Sequence, residues 1–234
     1  MKYTFNYHSE GDINEKKSIH FLHIGKNAGT EIVRYANKIN DLQDKFEIFK
    51  HKHDVRLVDL PKNEEYFFSI RNPISRFISG FNSRKRKGQP RLYVEWSNNE
   101  KIAFNTFENP NDLAESLYED GELGYKALQA IKSIRHTSMN QIDWFNFYGY
   151  FFITRPPLAI IRQEYFEDDI TKLMSILKID PFVIKGNIKD SHITEYSEMD
   201  KFLSEKAKNN LKNWYKNDFE FYKICSSWIL DNMY

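Results

Sequence analysis

The chain has 234 residues, a formal net charge of +1, and 41% hydrophobic against 29% charged residues. This is the profile of a soluble globular protein with length for one ample core; the near-zero charge argues against a bulk nucleic-acid binder and leaves a local anion pocket open. Cys225 is the only cysteine, which excludes an intramolecular disulfide and speaks against reliance on an oxidising compartment.

Residues 1–17 are polar and read as a flexible arm ahead of a single domain over 18–234. The segment MKYTFNYHSEGDINEKK lacks the apolar stretch of a secretory signal, and no apolar run reaches bilayer length. The expected location is therefore cytoplasmic, with no integral membrane segment. Ser18–Ile24 (SIHFLHI) predicts a short buried strand, Gly25–Gly29 a turn, and Thr30–Ile39 a helix with Ile32, Val33, Ala36 and Ile39 on one side. Glu64–Ile70 (EEYFFSI) predicts a second strand. Pro73 suits the first turn of a helix that continues through Phe77, Ile78 and Phe81. From Ser83 to Asn111 the sequence turns basic and then loop-like. Asp112–Tyr118 and Tyr125–His136 predict helices. Tyr150–Thr154 and Leu158–Arg162 read as short strands separated by Pro156-Pro157. Phe166–Leu177 and Lys201–Ile224 carry helical spacing, and Cys225 follows in the same aromatic tail. Strands alternating with helices predict an α/β fold in one domain, with a parallel sheet.

Two strand-to-helix corners carry the candidate chemistry. The first, HIGKNAGTEI (His23–Ile32), is not a Walker loop, because Lys26 precedes the small residues Ala28, Gly29 and Thr30. The free N–H groups of a first helical turn and the helix dipole favour an anion. Gly29 permits close approach, Thr30 adds a hydroxyl, and Lys26 adds a mobile charge. The same residues also suit a plain strand-to-helix turn with a solvated lysine. The second corner, YFFSIRNPISRFISGFNSR (Tyr66–Arg84), repeats the design. Arg71 ends the strand and Ser79 lies eight residues later on the helix, a guanidinium and a hydroxyl able to clamp a second phosphate. Otherwise Arg71 caps a neighbouring helix and Ser79 is a surface serine. Two such corners on neighbouring strands point to a ligand with a phosphate at each end.

These residues resemble those of sulfotransferases that use 3′-phosphoadenosine 5′-phosphosulfate (PAPS). HIGKNAGT resembles the family's HIPKTAGT loop, which binds the 5′-phosphosulfate. RNPISRFISGFN resembles its second motif, which binds the 3′-phosphate. HKHDVRLVDL (His51–Leu60) resembles the His-x-His segment of the heparan/uronyl 2-O-sulfotransferase branch and its bacterial relatives. IIRQEYFEDDITKL and LSEKAKNNLKNWYKNDFEFY resemble later family segments, so the likeness covers most of residues 18–224. Gly25 stands where the family loop has Pro, and Asn27 where it has Thr; Asn27 keeps a hydrogen-bond donor.

The resemblance implies a P-loop-like fold with a mainly parallel central sheet flanked by helices. It also implies sulfuryl transfer from PAPS to a hydroxyl, here of a carbohydrate, with release of adenosine 3′,5′-bisphosphate and no metal. In that scheme Lys26 stabilises the leaving phosphate, and Asn27, Ala28, Gly29, Thr30 and Glu31 line the 5′ end. Arg71 and Ser79 hold the 3′-phosphate, and Lys189, in the loop 185–192, is a further phosphate contact. His53 is the expected general base, with His51 the second choice. By themselves the two histidines read as surface residues, or as i, i+2 neighbours on one side of a strand that lack a third zinc ligand. The basic run Arg76, Arg84, Lys85, Arg86, Lys87 and Arg91 either lines an acceptor cleft or is a solvated helix end. Trp96 stacks on a sugar or packs, and His136 joins the site or is structural. Glu164 reaches the site or serves as an ion-pair partner. The competing functions are a kinase-like phosphotransferase, which would need Mg²⁺ ligands, and a non-catalytic glycan- or nucleotide-binding protein on the same fold.

Overall fold

The computed structural model describes residues 16–90, 92–145, 149–184 and 201–234. A four-stranded, all-parallel sheet forms its centre, in the order β2-β1-β3-β4. The strands are β1 (Lys17–Leu22), β2 (Phe46–Lys50), β3 (Glu65–Ile70) and β4 (Ala159–Arg162). β3 and β4 are almost wholly buried, as expected when helices cover both faces of a parallel sheet. The predicted α/β fold is present, and every strand pair in the sheet is parallel.

Helix α1 (Gly29–Leu42) follows β1 and buries Ile32, Tyr35, Ala36 and Ile39, one helical stripe. Helix α2 (Pro73–Lys85) follows β3. Pro73 sits in its first turn and the Asn72 side chain accepts from the Ile74 and Ser75 amides. Next come α3 (Asn98–Thr106), α4 (Pro110–Ser116), α5 (Glu122–Ser133) and the short α6 (Phe151–Thr154). After β4 come α7 (Phe166–Ile176), α8 (Glu205–Trp214) and α9 (Lys216–Met233). One apolar cluster joins the sheet to α1, α7 and α9; a second joins α2 to α3, α4, α5 and α8. Among the described residues no helix is long and apolar enough to cross a membrane.

Four expectations are corrected. Lys17 belongs to β1 rather than to an arm, and its amide bonds to Lys45 O. Residues 150–154 contain helix α6, not a strand. Gly149 turns the chain with φ 94°, and Arg155 leaves helical geometry ahead of Pro156, so only one short turn fits between them. Its Phe151 packs on Phe145, Phe68 and Phe221. The stretch read as loop up to Asn111 contains α3, opened by Ser97 and Glu100 in a reciprocal capping box. The C-terminal helix is two helices, parted at Tyr215.

The strand order places the change of winding direction between β1 and β3. In open α/β sheets the crevice beyond the carboxyl ends of two such strands is where ligands bind.

Candidate active site

The β1–α1 turn is held in a strained shape. Lys26 and Ala28 have φ of 71° and 57°, a left-handed conformation that costs a non-glycine residue about 1–3 kcal/mol. Ala28 caps α1 without a side-chain bond, and the Glu31 amide turns back to Ala28 O at 2.9 Å. The amides ahead of Glu31 therefore stand outside the helical ladder. A Cβ on Gly29 would lie 1.7 Å from His23 Nε2, so any larger residue here would displace that ring. Burial, and then the guanidinium groups of Arg71, Arg86 and Arg76, push the Lys26 ammonium down to about 8. Such a crowd of cations is a site that an anion would relieve.

The β3–α2 turn lies beside it. Arg71 Nε donates to Ser75 Oγ at 2.9 Å and its Nη1 points to Lys26 O at 3.3 Å. Ser79 is half-buried one turn beyond Ser75, on the same face of α2. Glu164 accepts the Asn72 amide at 2.8 Å and the Tyr222 hydroxyl at 3.1 Å, so it braces the second corner from the end of β4.

Direct bonds join the corners. Asn27 Nδ2 donates to Ser69 O at 2.8 Å and to Gln141 Oε1 at 2.7 Å, and Ser69 Oγ donates to Asn27 O at 2.6 Å. Gln141 Oε1 also accepts the Arg71 amide at 2.9 Å, while its Nε2 donates to Arg71 O at 2.8 Å. Beneath them Arg76, 2% exposed, donates from Nε to Gly25 O at 3.1 Å and from Nη1 to Met139 O at 2.7 Å. Its Nη1 also faces Asp218 Oδ2 at 3.8 Å.

Three histidines close over the first turn. His53 lies with its ring centroid 4.0 Å from His23 and 5.7 Å from His136. Its Nδ1 is 3.2 Å from His23 O, and its own carbonyl accepts from Trp144 Nε1 at 3.0 Å. His136, at φ 77°, is pushed down to about 2 by burial and then by Lys26 and its other cationic neighbours, so its ring is neutral at physiological pH. His51 turns elsewhere. β2 ends at Lys50, so the two histidines do not share one side of a strand. His51 Nε2 pairs with His20 Nδ1 at 2.8 Å, and His20 Nε2 pairs with Glu64. Burial and then His20 lower the His51 pKa.

A lysine-first loop and an arginine corner thus meet at the ends of adjacent strands, and a family model described as the sulfotransferase family matches residues 9–223. The chain belongs to the sulfotransferase family. Comparison with curated proteins and with solved structures returns no match.

Within this sulfotransferase the change from Pro to Gly25 has a physical reason. A Cβ at position 25 would lie 2.8 Å from His136 Nδ1, so the His136 ring occupies the space of a larger residue, while His53 Nδ1 at 3.6 Å would be in ordinary contact. Other expected contacts are reassigned. Asn27 is wholly buried and its Nδ2 is committed to Ser69 and Gln141, so that group ties the corners together. The Glu31 amide is used inside the helix and its carboxylate pairs with Arg34. Arg84 is 4% exposed, with Nε and Nη2 each 2.7 Å from the Glu100 carboxylate; it fastens α2 to α3 and does not line an acceptor cleft. Trp96 Nε1 donates to Arg84 O at 2.6 Å and its ring packs 4.9 Å from Phe104, so it lies half-buried against the second core. Arg86 bears on Lys26, and Thr30 lies half-buried in the first turn of α1. Arg91 and Lys189 lie outside the described residues. Among the described residues no group of three or more His, Cys, Asp or Glu is arranged for a metal ion.

Ser75, Gln141 and Asp218 were missed as site residues. Ser75 was legible from its place four residues after Arg71, one turn into a proline-started helix. Gln141 and Asp218 come from distant segments and carry no local signal.

Proposed function

We propose that this sulfotransferase takes its sulfuryl group from PAPS and delivers it to a carbohydrate hydroxyl, with His53 as the general base. One observation carries the reading: Arg71 Nη1 stands 3.3 Å from the carbonyl of Lys26, so two cationic corners at the ends of adjacent strands form one site. The residues present suit a nucleotide charged at both ends. Lys26 and the amides of Ala28, Gly29 and Thr30 would take the 5′ end, and Arg71 with Ser79 the 3′-phosphate. The bound co-substrate supplies the sulfuryl group and leaves as adenosine 3′,5′-bisphosphate. The chain supplies position and fixed positive charge where charge develops.

His53 suits the base role by its hydrogen bonding. Its Nδ1 lies 3.2 Å from His23 O, which orients the imidazole beside the Lys26 turn, where a proton acceptor for the incoming hydroxyl is needed. His136 is too weakly basic to compete, and His51 is committed to His20 and Glu64. The carbohydrate acceptor, and the place near the 2-O-sulfotransferase branch, rest on the His51-x-His53 segment.

The test is transfer of radiolabelled sulfate from PAPS to a panel of glycans and simple sugars. Lys26→Ala and Arg71→Ala should abolish transfer, and His53→Ala should bind nucleotide without turnover. Adenosine 3′,5′-bisphosphate should raise the melting temperature more than ATP or ADP; at a hundredfold excess over Kd it stabilises by about 2.7 kcal/mol. A preference for ATP with Mg²⁺ would overturn the donor, and normal turnover in His53→Ala would overturn the base and call for the same substitution at His51 and His136.

A further inference from the structure

We infer that Gln141 is a positioning residue that sets the distance between the two anion corners, an inference that rests on the two-corner reading above. Gln141 opens a short 3₁₀ turn (Gln141–Trp144) that belongs to neither corner, and it is wholly buried. Its amide uses all of its hydrogen-bonding capacity. Oε1 accepts from Asn27 Nδ2 on the Lys26 side and from the Arg71 amide on the other. Nε2 donates to Arg71 O and, at 3.3 Å, to Asp218 Oδ2. The Gln141 backbone is fixed as well, its amide bonding Asp218 Oδ1. With two donors on one atom and two acceptors on the other, neither a flip of the amide nor a change of rotamer keeps the set. The side chain is therefore a spacer of fixed length, braced from α9.

A preformed spacing matters only to a ligand that fills both corners. Such a ligand gains from its second contact without the cost of ordering it, whereas a ligand held at one corner is indifferent to the distance. A residue that merely stabilises the fold would weaken all ligands alike. Gln141→Asn keeps the amide but shortens its arm by one methylene, so it cannot reach both sides.

The experiment is calorimetric titration of the full chain with adenosine 3′,5′-bisphosphate, adenosine 5′-phosphate and adenosine 3′-phosphate. In Gln141→Asn the bisphosphate should lose about tenfold in affinity while each monophosphate stays within about twofold of wild type. An equal loss for all three ligands, or an unchanged bisphosphate affinity, overturns the inference. If Gln141→Asn does not fold, Asn27→Ala severs the same bridge on the Lys26 side and must give the same selective loss. Wild-type protein that binds the bisphosphate no tighter than the better monophosphate refutes the two-corner reading itself, and that result is visible before any substitution is made.

Discussion

Gly25 is the position where a single side chain decides the shape of the site. The histidine ring against it is itself held at a positive φ, and the backbone of Gly80 crowds it from behind, since a Cβ there would meet His136 Cβ at 3.3 Å. Gly25→Ala should therefore destabilise by about 1–3 kcal/mol, the usual cost of overpacking. Gly25→Ala combined with His136→Ala should recover most of that loss; denaturant melts of the singles and the double decide it, and simple additivity would show that the ring does not cause the clash. Lys26 gives a second prediction. Its pKa of about 8 in the free protein must rise when a dianion binds, because negative charge favours the ammonium. Below pH 8 the proton is already present and affinity for adenosine 3′,5′-bisphosphate should be flat. Above pH 8 binding must take up a proton, and affinity should fall by up to about tenfold per pH unit. Calorimetry at pH 9 in two buffers of different ionisation enthalpy measures the uptake; Lys26→Met should abolish it. Lys26 and Arg71 were legible because each corner is one contiguous strand-turn-helix segment. The bonds of Asn27 to Ser69 and Gln141 were not legible, because a donor in a phosphate loop looks the same in sequence whether it faces a ligand or a neighbouring strand.

The join between α2 and α3 shows how one buried ion pair can take a residue out of a binding surface. Burial alone would push the Glu100 carboxyl up, yet the Arg84 fork and the amides of Ser97 and Arg135 hold it down to about 2. A depressed carboxylate contributes stability that is present above its unfolded value of about 4.5 and is lost as pH falls towards 2. Wild-type protein should accordingly lose stability across that window, and Glu100→Gln should lose less there. At neutral pH Glu100→Gln should cost about 3–5 kcal/mol, because it strands a buried guanidinium. Urea denaturation at pH 7 and pH 3.5 checks both statements, and a variant as stable as wild type at pH 7 would refute the clamp. The sequence held the signal for α3 in Ser97-x-x-Glu100, but a basic, Pro-containing run ahead of it reads as loop. Residues 150–154 show the converse: a short apolar run has no period long enough to separate strand from helix, and only Gly149 and the prolines after it settle the matter.

Across the molecule, the C-terminal helix reaches the anion site through buried charge. Asp218 on α9 faces Arg76 on α2, and Arg76 bears in turn on Lys26. Burial outweighs their attraction, pushing Asp218 up to about 6 and Arg76 down. The strand order that creates the crevice was readable as alternating strands and helices, but this link was not, because it joins residues 76, 141 and 218 without any local pattern. Two consequences separate the pair's structural part from its electrostatic part. Asp218→Asn leaves a buried, uncompensated guanidinium and should cost about 3–5 kcal/mol, whereas Asp218→Asn with Arg76→Gln removes both charges, keeps an acceptor for the Gln141 amide and should recover much of that loss. The double variant also removes one of the cations that depress Lys26. Its affinity for the bisphosphate should therefore begin to fall at a higher pH than in wild type. Titrations from pH 7 to 10 on the folded double variant read that edge directly. An edge that stays at the wild-type pH means Arg76 supports the loop through its bonds to Gly25 and Met139 alone; an edge that moves up means that α9, by holding Arg76 in place, helps set the charge state of Lys26.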